Sequence, residues 1–186
     1  MSVRILEAVR DLPKVCEMIN LPFQAGRYDI GQHATRIYGQ AVPQKITQIK
    51  DMIPGVTLTT DLIVGFSGES DEQFERSMDV LRYVEFEKVH VSEYSYREGT
   101  FASRKMKDDI DRSFKKARKA AVGELQEEIQ TRNNPRMVGS RFDVLVEGRK
   151  RGRLHGRSRG DKLVYLNTTS DPISQEPGSV RRLRLK

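Results

Sequence analysis

The sequence predicts an α/β fold, part of a (β/α) barrel or an open parallel sheet, followed by a small all-β barrel of the oligonucleotide-binding kind. Three observations carry this. Short β-branched apolar runs alternate with helical periodicity up to about residue 100, as in βαβ units whose strands run parallel. Four or five short strands joined by glycine-rich turns then occupy residues 139–186. The charge changes at the same place. Residues 139–186 hold 12 Lys and Arg against 5 Asp and Glu, the whole of the net +7, while residues 1–138 are balanced at 21 against 21. The domain boundary is therefore expected near residue 138, with 1–138 and 139–186 as the two domains.

In chain order, Val3 to Met18 reads as helical with an interruption at Pro13, and Ile19 to Gln24 as a short buried strand. Pro43 suits the first turn of a helix carrying Ile46, Ile49 and Ile53, which stops at Pro54-Gly55. Val56 to Phe66 is the strongest strand, β-branched and apolar on both faces near its end. Ser70 and Gln73 form a capping-box pair before a helix with Phe74, Met78 and Leu81 on one stripe. Val89 and Val91 alternate with polar residues in the next strand. From Ile110 a long helix is expected with Ile110, Phe114, Ala117, Ala121, Leu125 and Ile129 facing the core, ending near Asn133-Asn134-Pro135. Only about three βαβ units fit before residue 100, whereas a complete (β/α)8 barrel takes about 250 residues. The stretch therefore reads as part of a barrel or as an open sheet.

Composition excludes several classes. With 37% hydrophobic and 32% charged residues, the chain can build a packed core. No apolar run reaches the roughly 20 residues of a membrane span, and the acid at Glu7 comes early for a signal peptide, so a cytoplasmic setting is expected. The single cysteine, Cys16, excludes a disulfide framework and any cluster held by several thiolates of this chain; it reads as a small buried hydrophobe. His33, His90 and His155 have no ligand spacing, so no metal site is expected. No G-x-S-x-G elbow supports nucleophilic hydrolysis.

Two loops could carry chemistry. Gly65-Phe66-Ser67-Gly68-Glu69-Ser70 follows the best strand and opens a capped helix. Its glycines allow close backbone approach, and Glu69 argues against phosphate and for a ligand offering an ammonium group or ribose hydroxyls; equally, Glu69 serves as a cap alone. Glu93 to Thr100 lies at the carboxyl end of a strand, where α/β folds place their sites, or is a polar turn at Gly99. In the basic segment, Arg153, Arg157, Arg159 and Lys162 share a hairpin and turn, a charge pattern suited to a polyanion, nucleic acid before membrane. Tyr165 and Phe142 either stack on bases or fill the core, and Phe142, alternating with Val144, reads as core.

The motifs Leu21-Pro22-Phe23-Gln24-Ala25-Gly26, Ile53-Pro54-Gly55-Val56, Thr59-Thr60-Asp61-Leu62-Ile63-Val64-Gly65-Phe66-Ser67-Gly68-Glu69 and Tyr94-Ser95-Tyr96-Arg97-Glu98-Gly99-Thr100 occur in an order that resembles the radical-SAM tRNA methylthiotransferases. Gly156-Arg157 and Asp161-Lys162-Leu163-Val164 resemble their TRAM domain, a small RNA-binding β-barrel. The resemblance covers residues 3 to 186. It implies the back part of a radical-SAM barrel plus a TRAM domain, without the cysteine sets that hold [4Fe–4S] clusters in that family. Gln24, Asp61, Gly65 and Glu69 would then belong to the S-adenosyl-L-methionine side, Tyr94 and Arg97 to the substrate mouth, and Arg153, Arg157, Arg159 and Lys162 to RNA. Ser67 and Tyr96 stand where prolines are common in the family, and residues 27–42 depart from its pattern.

The resemblance implies a fragment or subunit of a transferase that methylthiolates N6-modified adenosine beside the anticodon. Its partners would be tRNA, through the anticodon stem-loop, and a separate chain carrying the cluster domains. Alone, the chain is expected to bind no cluster and to be inactive. The alternatives are an RNA-binding module without catalysis, or the branch that modifies a ribosomal-protein aspartate.

Overall fold

A computed structural model describes residues 1–22, 41–166 and 178–184. The chain divides into two compact units. One comprises residues 19–51 and 58–132, and the other residues 1–18, 52–57 and 133–186.

The first unit is α/β. Its three-stranded sheet has the order β1 (Met18–Asn20), β2 (Thr57–Val64), β3 (Lys88–Glu93). Strands β2 and β3 pair in parallel from Thr59 opposite Lys88 to Val64 opposite Glu93. The bonds from Thr57 N–H to Glu17 O and from Leu21 N–H to Thr59 O advance in the same direction along both chains, the parallel pattern again. Helix α2 (Ala41–Met52) precedes β2, and α3 (Asp71–Val84) crosses from β2 to β3. The two faces of β2 differ. Thr60, Leu62 and Val64 are buried, while Asp61 and Ile63 are half-buried beside exposed His90 and Ser92. One face of this sheet is packed and the other is open.

Local signals account for most of these elements. Pro43 falls in the first turn of α2, and Ile46, Ile49 and Ile53 are buried. The capping box forms: Ser70 Oγ accepts from Gln73 N–H at 3.3 Å and Gln73 Oε1 accepts from Ser70 N–H at 3.0 Å. Such a cap is worth about 1 kcal/mol. Met78 and Leu81 are buried below it.

The N-terminal stretch and the long helix depart from expectation. Helix α1 (Val3–Asp11) ends before Pro13, and the chain then runs through a turn into β1. Cys16 is exposed in that connection rather than buried in a helix. After a short helix α4 (Phe101–Lys105), helix α5 (Arg112–Asn133) buries Lys115, Arg118, Val122 and Ile129. Phe114, expected in the core, is 59% exposed. The buried stripe is displaced by one residue because two cations occupy it, and their partners lie elsewhere in the unit. Gln126 and Gln130 extend the contact of α5 by donating from Nε2 to the backbone oxygens of Phe86 and Glu87 at 3.0 to 3.2 Å.

The second unit is built on a four-stranded antiparallel sheet of order β6 (Leu163–Leu166), β5 (Arg153–Ser158), β4 (Arg141–Lys150), β7 (Val180–Arg184). Positive φ at Arg151 and Gly152 makes the tight two-residue turn that joins β4 to β5. A register shift between Val146 and Gly148 inserts Glu147 as a bulge. Val144, Val146, Leu154 and Val164 are buried on one face, as the alternation requires. Residues 1–18 belong to this unit. Arg159 donates to both carboxylate oxygens of Glu17, at 2.8 and 2.9 Å, and to the backbone oxygens of Pro13 and Val15.

Candidate functional site

In the first unit, a cleft of about 520 Å³ opens at the carboxyl ends of β2 and β3. Asp61, Phe66, His90, Ser92, Tyr94 and Arg97 line it. This is the end of a parallel sheet at which ligands gather, because loops leave the strands there and are not constrained by the ladder. Asp61 projects from the open face of β2 and accepts from Asn20 Nδ2 at 2.8 Å, while Asn20 Oδ1 accepts from Thr59 Oγ1 at 3.2 Å. Phe66 and Tyr94 meet with ring centroids 4.6 Å apart and planes tilted by 55°. Tyr94 N–H continues the ladder to Val64 O at 2.9 Å, which sets the ring at the end of β3. Arg97 is exposed in the following turn, where Gly99 has a φ of +83°.

The cleft thus brings together Asp61, Tyr94 and Arg97. Gln24 lies outside the described residues. Gly65 and Glu69 do not line the cleft; they form its support. Gly65 takes a φ of +70°, and its N–H donates to Glu69 Oε2 at 2.7 Å. Glu69 is 3% exposed. Arg118 Nη1 donates to the same Oε2 at 2.8 Å and to Glu69 O at 3.2 Å, and its Nη2 reaches Asp71 at 2.7 Å. Burial pushes the Glu69 carboxyl above the ordinary glutamate range, opposed by the Gly65 N–H and the Arg118 guanidinium.

Residues 108–118 grip the rest of this loop. Asp109 Oδ1 accepts from Gly68 N–H at 2.7 Å. The buried Lys115 donates from Nζ to Asp108 at 2.5 Å and to Tyr94 O at 3.3 Å, linking the segment before α5 to the end of β3. Sequence reasoning missed Lys115, Arg118, Asp108 and Asp109. Cations on a solvent-like helix pattern carry no sign that they are buried. Two acids at residues 69 and 71 before a helix were the only available hint.

In the second unit, the four cations expected at RNA are distributed differently. Arg157 pairs with Glu147 at 3.2 Å and with Asp161 at 2.8 Å. Arg159 is held by Glu17 as described, and this contact holds the Glu17 carboxyl below its ordinary range. Lys162 Nζ donates to Asn134 Oδ1 at 2.7 Å. The Arg153 guanidinium stands 5.6 Å from the centroid of the Tyr165 ring. Only Arg153 joins an exposed aromatic side chain.

Among the described residues, no group of three or more His, Cys, Asp or Glu could hold a metal ion, and no helix is long and apolar enough to cross a membrane. With one cysteine, which is exposed, the chain's own side chains do not fit an iron–sulfur cluster.

A parallel α/β sheet with a ligand-sized cleft at its carboxyl edge, carried on one chain with a basic antiparallel sheet, is the class that fold and site define. No family model matches the chain. It is 38% identical over 188 residues to the tRNA-2-methylthio-N(6)-dimethylallyladenosine synthase of Chlorobium luteolum, covering 99% of this chain and 41% of that protein. The proteins of the same name from Herpetosiphon aurantiacus and Pelotomaculum thermopropionicum are 39% and 40% identical, over 92% and 89% of the chain and 40% and 38% of their own lengths. Over the part of those proteins that it matches, the chain belongs to the tRNA methylthiotransferase family. It spans about two fifths of the length of these curated relatives.

Proposed function

We propose that this chain provides the S-adenosyl-L-methionine-side wall and an RNA-binding surface for 2-methylthiolation of an N6-modified adenosine next to the anticodon. The observation that carries the reading is the match of nearly the whole chain to synthases named for that reaction, at 36–40% identity. In this reading residues 1–138 correspond to the later part of a (β/α) barrel and residues 139–186 to a TRAM-like barrel. The cleft supports it: Asp61 suits a hydroxyl or ammonium group, and the tilted Phe66–Tyr94 pair offers an aromatic wall to a purine. Gly65 and Glu69 act by shaping the loop beside that wall. S-adenosyl-L-methionine supplies the methyl group, and the chain's residues bind and orient it. Any cluster chemistry would need thiolates that this sequence does not supply.

A second reading, an RNA-binding module without catalysis, is favoured by the concentrated basic charge. Equilibrium dialysis with S-adenosylhomocysteine separates the two. The first reading expects saturable binding that Asp61→Asn weakens at least fivefold. Binding of an anticodon stem-loop with no binding of S-adenosylhomocysteine would leave the second. Each phosphate contact should contribute about 0.7 to the slope of log affinity against log salt.

A further inference from the structure

The open face of the four-stranded sheet, opposite buried Val144, Val146, Leu154 and Val164, carries four large apolar side chains to solvent. Leu145 is 45% exposed, Leu163 45%, Tyr165 41% and Val180 65%. The register puts them on one surface: Leu145 lies opposite Val180 on one side and Arg157 on the other, Arg157 opposite Leu163, and His155 opposite Tyr165. The same face carries Arg141, Lys150, Arg153, Arg157 and Arg182, of which Arg157 is neutralised by Glu147 and Arg182 by Asp143 at 3.0 Å. Its net charge is positive. Around Tyr165 the arrangement is specific. The His155 ring packs beside it at 6.1 Å with a 40° tilt, and the Arg153 guanidinium lies 5.6 Å from its centroid.

We infer that this sheet face, centred on Tyr165 and flanked by Arg153 and Lys150, is a platform on which an unpaired nucleobase stacks, with the adjoining backbone phosphates held at the β4–β5 turn. The inference rests on the RNA-binding reading above and names the surface that performs it. Charge complementarity selects the occupant. A neutral apolar partner would leave Arg141 and Lys150 covered by uncharged surface, whereas a single strand supplies both flat rings and anions. The turn at Arg157, Arg159 and Lys162 suits phosphates less well, since carboxylates already engage Arg157 and Arg159. An exposed aromatic ring that is braced by a neighbour loses little rotational freedom when a base covers it.

The test uses the full chain and three fluorescein-labelled eight-mers: oligoadenylate, oligouridylate and an abasic strand of equal charge. Tyr165→Ala should weaken oligoadenylate binding roughly tenfold, leave abasic-strand affinity within twofold, and leave the salt slope unchanged. Tyr165→Phe should bind like wild type. The sequence contains no tryptophan, so Tyr165→Trp creates a sole indole whose emission oligoadenylate should quench and the abasic strand should not. If the strands bind with a normal salt slope but Tyr165→Ala changes nothing and the indole is not quenched, the platform is wrong and RNA binding resides elsewhere. If wild type binds none of the strands at low salt, the RNA reading itself falls.

Discussion

Replacing Gly65 with alanine probes the support of the cleft, and two separate penalties can be worked out from its surroundings. At a φ of +70° a β-carbon crowds the neighbouring carbonyl, a cost of about 1–2 kcal/mol. That β-carbon would also stand 2.4 Å from Lys115 Cγ and 3.2 Å from Cδ. Lys115 has no easy retreat, because it is 5% exposed and its Nζ is held by Asp108 and the Tyr94 carbonyl. Overpacking of this sort costs about 1–3 kcal/mol. The two together give a loss of about 2–5 kcal/mol, confined to the unit that contains β2 and β3. Hydrogen exchange at the β2 and β3 amides, measured for wild type, Gly65→Ala, Lys115→Ala and the double variant, completes a cycle. Truncating Lys115 removes Cγ and Cδ and leaves only its Cβ, at 3.3 Å, so the double variant should recover most of the steric part and not the φ part, a coupling of about 1–3 kcal/mol. Coupling below about 0.5 kcal/mol would refute the claim that Lys115 shapes the Gly65 loop.

Arg118→Met should destabilise the same unit by about 3–5 kcal/mol, as seen by urea denaturation, because it strands the Glu69 carboxylate in a buried position. Adding Glu69→Gln to Arg118→Met should recover much of that loss. Acid titration should separate two glutamates. Glu69, pushed up by burial, is protonated more readily folded than unfolded, so its contribution is full below about 4.5 and fades as pH rises through its raised value. Glu69→Gln should remove that slope. Glu17, held down by Arg159, contributes above about 4.5 and loses its contribution as pH falls through its lowered value. Arg159→Ala should flatten that acid limb, measured as thermal midpoints between pH 3 and pH 7, the change staying within about 1 kcal/mol for a pair this exposed.

What was legible in the sequence was what neighbouring residues decide among themselves. The capping box at Ser70 and Gln73, the stop at Pro54-Gly55 and the apolar run of β2 depend on contacts a few residues apart, and each formed. The buried stripe of α5 was misread because apolar periodicity points to Phe114 and Ala117, whereas Lys115 and Arg118 are buried against acids 7 and 49 residues away in the chain. Burial of charge follows from its partner, and no local pattern names the partner. The same reason hid Arg159. The partner of its guanidinium, Glu17, lies 142 residues earlier in the chain. Asp61, Tyr94 and Arg97 did meet in one cleft, since strand ends are visible in sequence and a parallel sheet collects them on one edge.

The bond between Glu17 and Arg159 also bears on how the chain is made. Residues 1–18 share a compact unit with residues 133–186, so their partners leave the ribosome long after they do. At about 5–20 residues per second, the 142-residue gap corresponds to roughly 7–28 s of synthesis. Throughout that interval Leu6 and Val9, both buried in the finished molecule, wait on a nascent helix without the strands of their unit. The α/β unit, encoded between the two ends, can close first. The antiparallel sheet then has to recruit a segment that has been exposed to chaperones and proteases since it left the ribosome.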